Sequence, residues 1–210
     1  MANFEELSKW VIAGNMIKVK ELTQALVDEG SAPLDIINQG LIAGMSVVGA
    51  RFKNGEMFVP EVLMAAKAMG SGIEIVKPFI ADTDMPSVGK VLLGTVKGDL
   101  HDIGKNLVGM MLESGGFTVV NMGIDISPEQ FVAAIKAHHP DILAMSALLT
   151  TTMLHMKDTI ELLKEEGLKD QVKVIVGGAP ISQDFADEVG ADGFAPDAAS
   201  AVDLCKKLLS

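Results

Sequence analysis

From Lys90 onward the chain repeats one rhythm, a short apolar run followed by a loop and then a helical stretch. The apolar runs are Lys90–Val96, Thr118–Met122, Ile142–Ser146 and Val172–Val176, with a shorter one at Gly193–Ala195. Helical stretches near Asp102–Ser114, Pro128–His138, Thr152–Glu166 and Gln183–Val189 separate them, and a last one covers Ala198–Leu209. Short β-branched runs without polar alternation are strands buried on both faces, which is the signature of parallel pairing through helical crossovers. The rhythm therefore predicts an α/β fold, a Rossmann-like (flavodoxin-like) doubly wound parallel sheet. Ligands of such sheets sit beyond the carboxyl ends of the strands, so the residues just after each run are the ones to inspect.

Residues 3–79 follow a different period. Phe4, Leu7 and Val11 form one stripe, and Val19, Leu22 and Leu26 a second. Ile37, Leu41, Met45, Val48 and Phe52 recur at spacings of three and four, as do Val62, Ala65, Met69, Ile73 and Val76. Breaks fall at Gly14-Asn15, at Gly30-Ser31-Ala32-Pro33 and at Asn54-Gly55, so an N-terminal four-helix bundle is expected. The polar, aperiodic stretch Ala81 to Ser87 contains Pro86 and reads as a linker. The expected division is a helical domain over residues 1–83 and an α/β domain over residues 84–210.

Composition narrows the function. With 28 acidic against 17 basic residues the net charge is −11, and there is no Lys/Arg patch to meet a phosphate backbone, so no nucleic-acid partner is expected. No apolar stretch is long enough to span a bilayer, and Met1 to Glu6 lacks the basic and apolar regions of a secretory signal. Cys205 is the single cysteine, lies in the last amphipathic stretch as a core residue, and suits a reducing compartment; a cytoplasmic location is expected. The thirteen methionines, beside eight Phe, one Trp and no Tyr, read as fillers of irregular gaps between helices.

Three strand ends carry the chemistry. After the first comes Gly98-Asp99-Leu100-His101-Asp102-Ile103-Gly104, which sets an imidazole at the sheet edge with a carboxylate two residues away. A carboxylate there can hold one ring nitrogen and leave the other for a metal, although Asp102 also fits a plain helix cap. After the third strand come Ser146-Ala147-Leu148-Leu149-Thr150, and after the fourth Gly177-Gly178. His138-His139-Pro140 reads as a helix end whose imidazoles complement the dipole, and His155 has no partner spacing that suggests a metal.

Together, Asp99-x-His101-x-x-Gly104, Ser146-x-Leu148 and Gly177-Gly178 resemble the cobalamin-binding signature of the B12-dependent methyltransferase family. The resemblance extends over nearly the whole chain. Gly44 to Gly49, Phe52 and Gly55 to Val62 look like that family's helical cap, and the chain is similar to the small corrinoid proteins of three-component methyltransferase systems. It implies a cobalamin bound base-off and His-on, with methylcobalamin and cob(I)alamin as working states. His101 would ligate cobalt through Nε2 and donate through Nδ1 to Asp99. Ser146 would meet the nitrogen of the benzimidazole tail, and Gly177-Gly178 would offer it a wall without side chains. A bulky residue at Gly178 is expected to block the tail while sparing the fold. Gly98, Leu100, Asp102, Ile103 and Gly104 would border the tail with the first helix turn. Thr150 matches the family's hydroxyl four residues past the serine. Thr152 stands where the family often has a serine bonded to the aspartate, and a plain helix cap fits it equally. Ala198 would border the tail, and Phe58 would cover the upper face.

The function so implied is a methyl carrier, inactive alone, between a donor-specific methyltransferase and an acceptor methyltransferase, with a reductive activator as a further partner. An adenosylcobalamin-dependent isomerase subunit or a B12 sensor module is the alternative. The helical segment argues against the first and the missing DNA-binding domain against the second. Methyl donor and acceptor are not distinguished by the sequence.

Overall fold

The computed structural model describes residues 3–80 and 87–210, which form two compact units, one helical and one α/β beginning at Val88. The expected linker and the expected 83/84 boundary lie outside the described residues, apart from Ser87.

In the helical unit, α1 (Phe4–Ile12) and α2 (Met16–Asp28) are each capped by an asparagine. Asn3 Oδ1 accepts from Glu6 N, and Asn15 Oδ1 from Lys18 N, satisfying amides that a helix start leaves without partners. A third helical run comprises α3 (Pro33–Asp35), a π-helical stretch Ile36–Ile42, and α4 (Ala43–Lys53). The π stretch is the one departure from the expected four helices. Gly40 lies within it and Gly44 just after it, where α1 approaches closely. A Cβ on Gly40 would sit 2.6 Å from Leu7 Cδ2, and one on Gly44 would sit 2.8 Å from Val11 Cβ. The fourth helix, α5 (Val59–Val76), starts with Pro60 in its first turn, and Glu61 reaches back to accept from Phe58 N at 2.8 Å. Leu7, Val11, Val19, Leu26, Leu41, Val48, Val62 and Met69 are all buried.

The α/β unit contains β1 (Lys90–Val96), β2 (Thr118–Ile126), β3 (Ile142–Ser146), β4 (Lys173–Gly177) and β5 (Gly193–Phe194). All pairings are parallel and the order is β2-β1-β3-β4-β5, the flavodoxin-like arrangement. The crossovers are α6 (Ile103–Ser114), α7 (Pro128–His138), α8 (Leu154–Glu165) and α9 (Gln183–Val189), with α10 (Ala198–Leu208) closing the chain. Six of seven residues of β1 are buried, as a central strand covered on both faces requires. Phe131, Leu92, Leu143, Met156 and Ile160 share the core on one side of the sheet.

Two boundaries differ from the expected ones by more than one residue. Strand β2 runs on to Ile126, four residues past the apolar run, because Asn121, Gly123 and Asp125 still pair or bond with the neighbouring edge. Helix α8 begins at Leu154 instead of Thr152, because the Thr152 side chain is committed elsewhere. The switch point of the order lies between the paired neighbours β1 and β3, where the chain order reverses, and the loops after those two strands carry the histidine and serine segments.

Candidate functional site

The parallel register brings the three motif segments to one level. Ser146, the last residue of β3, pairs with Thr95 of β1 on one side and Gly177 of β4 on the other. One carboxylate then ties the loops beyond β1 and β3 together. Asp99 is fully buried. Its Oδ1 lies 2.7 Å from His101 Nδ1 and accepts from His101 N at 3.1 Å. Its Oδ2 accepts from Leu148 N at 2.8 Å and from Thr152 Oγ1 at 2.7 Å. Burial by itself would raise the Asp99 pKa. The hydrogen bonds from Thr152, Leu148 and His101 outweigh it and hold the carboxyl well below the usual carboxylate range.

An ionised Asp99 accepts only, so the proton between it and His101 resides on Nδ1, and the lone pair of the ring is at Nε2. The imidazole is about half exposed although its partner is wholly buried. Among the described residues no group of three or more His, Cys, Asp or Glu side chains could hold a bare metal ion. One ligand with one free nitrogen instead suits a metal that arrives with its other positions already filled. The surroundings suit a large apolar body: Leu100 (67% exposed), Ile103 (83%), Leu148, Leu149 and Leu154 (57%) all leave large side chains open at this edge. A Cβ added to Gly104, on the first turn of α6, would meet nothing within 4 Å, so there is room beside the helix start. These residues would fit a corrinoid: His101 could offer its free nitrogen to the cobalt, and the exposed leucines and isoleucine could line the ring and tail.

The other expected residues fall as follows. Gly98 takes φ +77° in the turn before Asp99. Asp102 is exposed and accepts from Asn106 Nδ2 at 2.9 Å, one turn into α6. Thr152 is buried and bonds Asp99. Thr150 is exposed in the same loop, and Ala198 is buried in the first turn of α10, so neither joins the Asp99 network. Phe58, 68% exposed, belongs to the helical unit just before α5.

Gly178 requires a correction. It was expected to accept a larger residue without loss of fold, but it has φ +128° and its Cβ would lie 1.8 Å from Ala147 O. The glycine is demanded by the backbone of the β3 loop beside it, whose Ala147 N also donates to Gly177 O at 3.2 Å. No substitution there leaves the loop in place.

Three residues of the site were not anticipated. Thr95, buried in β1, donates to His101 O at 2.9 Å. Lys105 is buried with its ammonium on Asn106 Oδ1 and Asn121 Oδ1, at 2.8 and 2.7 Å, and burial lowers its pKa. Asp125, near the end of β2, accepts from Gly98 N. An Asp three residues before a Pro-initiated helix was the visible signal for the last, but its partner is 27 residues away. His155 is paired locally with Asp158, and Cys205 is buried with its thiol pushed up to about 12 by desolvation.

Residues 89–203 match a family described as B12 binding domain, and residues 4–77 match a second family of the same description. A corrinoid protein of Desulfitobacterium hafniense is 48% identical over 212 residues, covering 100% of this chain and 98% of its own length. A dimethylamine corrinoid protein of Methanosarcina acetivorans is 43% identical, covering 98% of this chain and 99% of its own. Among solved structures, a chain of the methanol:cobalamin methyltransferase complex from Methanosarcina barkeri matches with a TM-score of 0.87 at 34% identity, over 97% of this chain and 78% of that one.

Proposed function

Because the chain belongs to the B12-binding family, we propose that it is the corrinoid component of a methyltransferase system, a methyl carrier that depends on partner proteins for both halves of its cycle. The observation that carries the site assignment is the Thr152–Asp99–His101 relay, which leaves one imidazole nitrogen open beneath an apolar rim. The corrinoid, when bound, supplies a cobalt centre able to accept a methyl group and to release it again.

The chain's own contribution is orientation and charge. Asp99, kept ionised by four donors, fixes the His101 tautomer and raises the basicity of Nε2, favouring the His-on, base-off mode of binding. Ser146 and Gly177, level across β3 and β4, and Gly104, with open space above it, are assigned to the lower tail. Gly98, Leu100, Asp102, Ile103, Leu148, Thr150, Gly178 and Ala198 complete the proposed cofactor contacts. Domains over residues 1–83 and 84–210, a reductive activator among the partners, and a cytoplasmic location complete the reading. Among the described residues no helix is long and apolar enough to cross a membrane.

The names of the relatives favour a methylated amine as donor: a dimethylamine and a trimethylamine corrinoid protein of Methanosarcina acetivorans are 43% and 42% identical to this chain. Protein reconstituted with hydroxocobalamin and reduced should bind one corrinoid per chain and show no demethylation of dimethylamine by itself. With a dimethylamine-specific methyltransferase its absorbance should change to that of the methylated state, and with a methanol-specific one much more slowly. Turnover by the reconstituted chain alone, or equal rates with both partners, would contradict the carrier role or the donor assignment respectively.

A further inference from the structure

The loop that carries His101 is held from the side opposite β3 by a single residue. β1 and β2 pair regularly from Lys90–Thr118 to Leu93–Asn121, then slip, so that Gly94 faces Gly123 and Val96 faces Ile126. Two residues of β2, Ile124 and Asp125, thereby oppose one of β1, Thr95. This is a β-bulge, a device that redirects a side chain at the cost of one unpaired residue. Asp125 has φ +56°, one of two non-glycine residues in the left-handed region among those described. The bulge turns Asp125 toward the β1 loop. Its Oδ1 accepts from Gly98 N at 2.7 Å, and its own N donates to Asp99 O at 3.1 Å.

Two of the four backbone positions from Gly98 to His101 are therefore bonded to Asp125, and a third, His101 O, accepts from Thr95, the residue opposite the bulge. Asp125 is exposed and contributes nothing to the core. A left-handed aspartate costs about 1 kcal/mol relative to glycine, and such strain persists where the surroundings use it.

We propose that Asp125 is a positioning residue: its bulge clamps the Gly98–Asp99 backbone so that the Asp99 carboxylate and the His101 ring keep the geometry needed for cobalt ligation. The inference rests on the His101 reading but concerns the loop of the protein before any corrinoid binds. Two substitutions separate the side chain from the backbone shape. Asp125→Gly accepts the left-handed conformation more readily but removes the acceptor for Gly98 N. Asp125→Asn tolerates the conformation and keeps an oxygen acceptor.

The first readout is the ¹⁵N shifts of His101 in the corrinoid-free protein, which report which ring nitrogen holds the proton. Wild type and Asp125→Asn should show a fixed Nδ1–H ring. Asp125→Gly should show averaged shifts, with thermal stability close to wild type. The second is corrinoid affinity, which should fall at least tenfold in Asp125→Gly and less than threefold in Asp125→Asn. A fixed Nδ1–H ring and unchanged affinity in Asp125→Gly would overturn the clamp, whereas a wild-type holoprotein whose cobalt takes no protein nitrogen would overturn the His101 assignment instead. If Asp125→Gly lost the fold, Asp125→Asn decides: wild-type shifts and affinity support the clamp, and averaged shifts contradict it.

Discussion

Asp99 is the residue on which the site turns, and its two oxygens each meet two donors. Asp99→Asn must therefore point an amide N–H₂ at donors whichever way it is turned. A buried donor left without an acceptor costs about 1–3 kcal/mol, so urea unfolding should show a loss of that size. Its pH dependence has a definite sign. The folded pKa lies below the unfolded value of about 3.9, so below that pH the unfolded chain binds more protons and stability declines. The Asp99 contribution is present above the unfolded value and is lost progressively as pH falls from there through the lower folded pKa. Wild type and Asp99→Asn should thus differ less at pH 3 than at pH 5, and a constant difference would mean the carboxylate charge is not what stabilises. Loss of the charge also weakens His101 as a donor to cobalt. On the proposed His-on reading, Co(II) would hold that ligand and Co(I) would release it, so the Co(II)/Co(I) midpoint should move upward in the variant, as a redox titration would show. The pairing of Asp99 with His101 was legible at two-residue spacing. That Thr152 completes it was legible only through family position, and that Leu148 N does so was not legible at all, since a hydrogen bond across 53 or 49 residues leaves no local periodicity.

At the scale of elements, the strands and helices of the α/β unit were readable because each strand is buried on both faces and each helix has an apolar stripe. The exceptions have physical causes. β2 is an edge strand whose last residues are bulged, and Gly123 and Asp125 interrupt the apolar Ile124 and Ile126, so its end does not read as a continuous apolar run. The π-helical stretch Ile36–Ile42 keeps the apolar spacing of an ordinary helix and is invisible to it. The two glycines nearest the motifs also look alike in sequence and differ in the fold. Gly178 faces Ala147 O at a distance no Cβ can occupy, so Gly178→Ala should destabilise the protein markedly. Gly104 has open space and lies in a helix, where replacing glycine by a better helix former gains up to about 1 kcal/mol. Gly104→Leu should keep or raise the melting temperature while lowering corrinoid affinity by more than tenfold. Unimpaired binding in Gly104→Leu would remove the first turn of α6 from the tail site.

For the whole molecule, one nitrogen decides whether the cofactor is held by the protein. A half-exposed histidine on a buried carboxylate, in a chain that belongs to a B12-binding family, supports the proposal that His101 is the protein's ligand to cobalt. Cobinamide tests this directly, since it lacks the nucleotide and hence any lower base of its own. Loaded into the protein and reduced to Co(II), it should give an electron paramagnetic resonance spectrum with each cobalt line split in three by ¹⁴N. Protein grown with ¹⁵N-histidine should split each line in two, and His101→Ala should show no nitrogen splitting. A wild-type spectrum without nitrogen splitting, or one unchanged by ¹⁵N-histidine, would contradict the account.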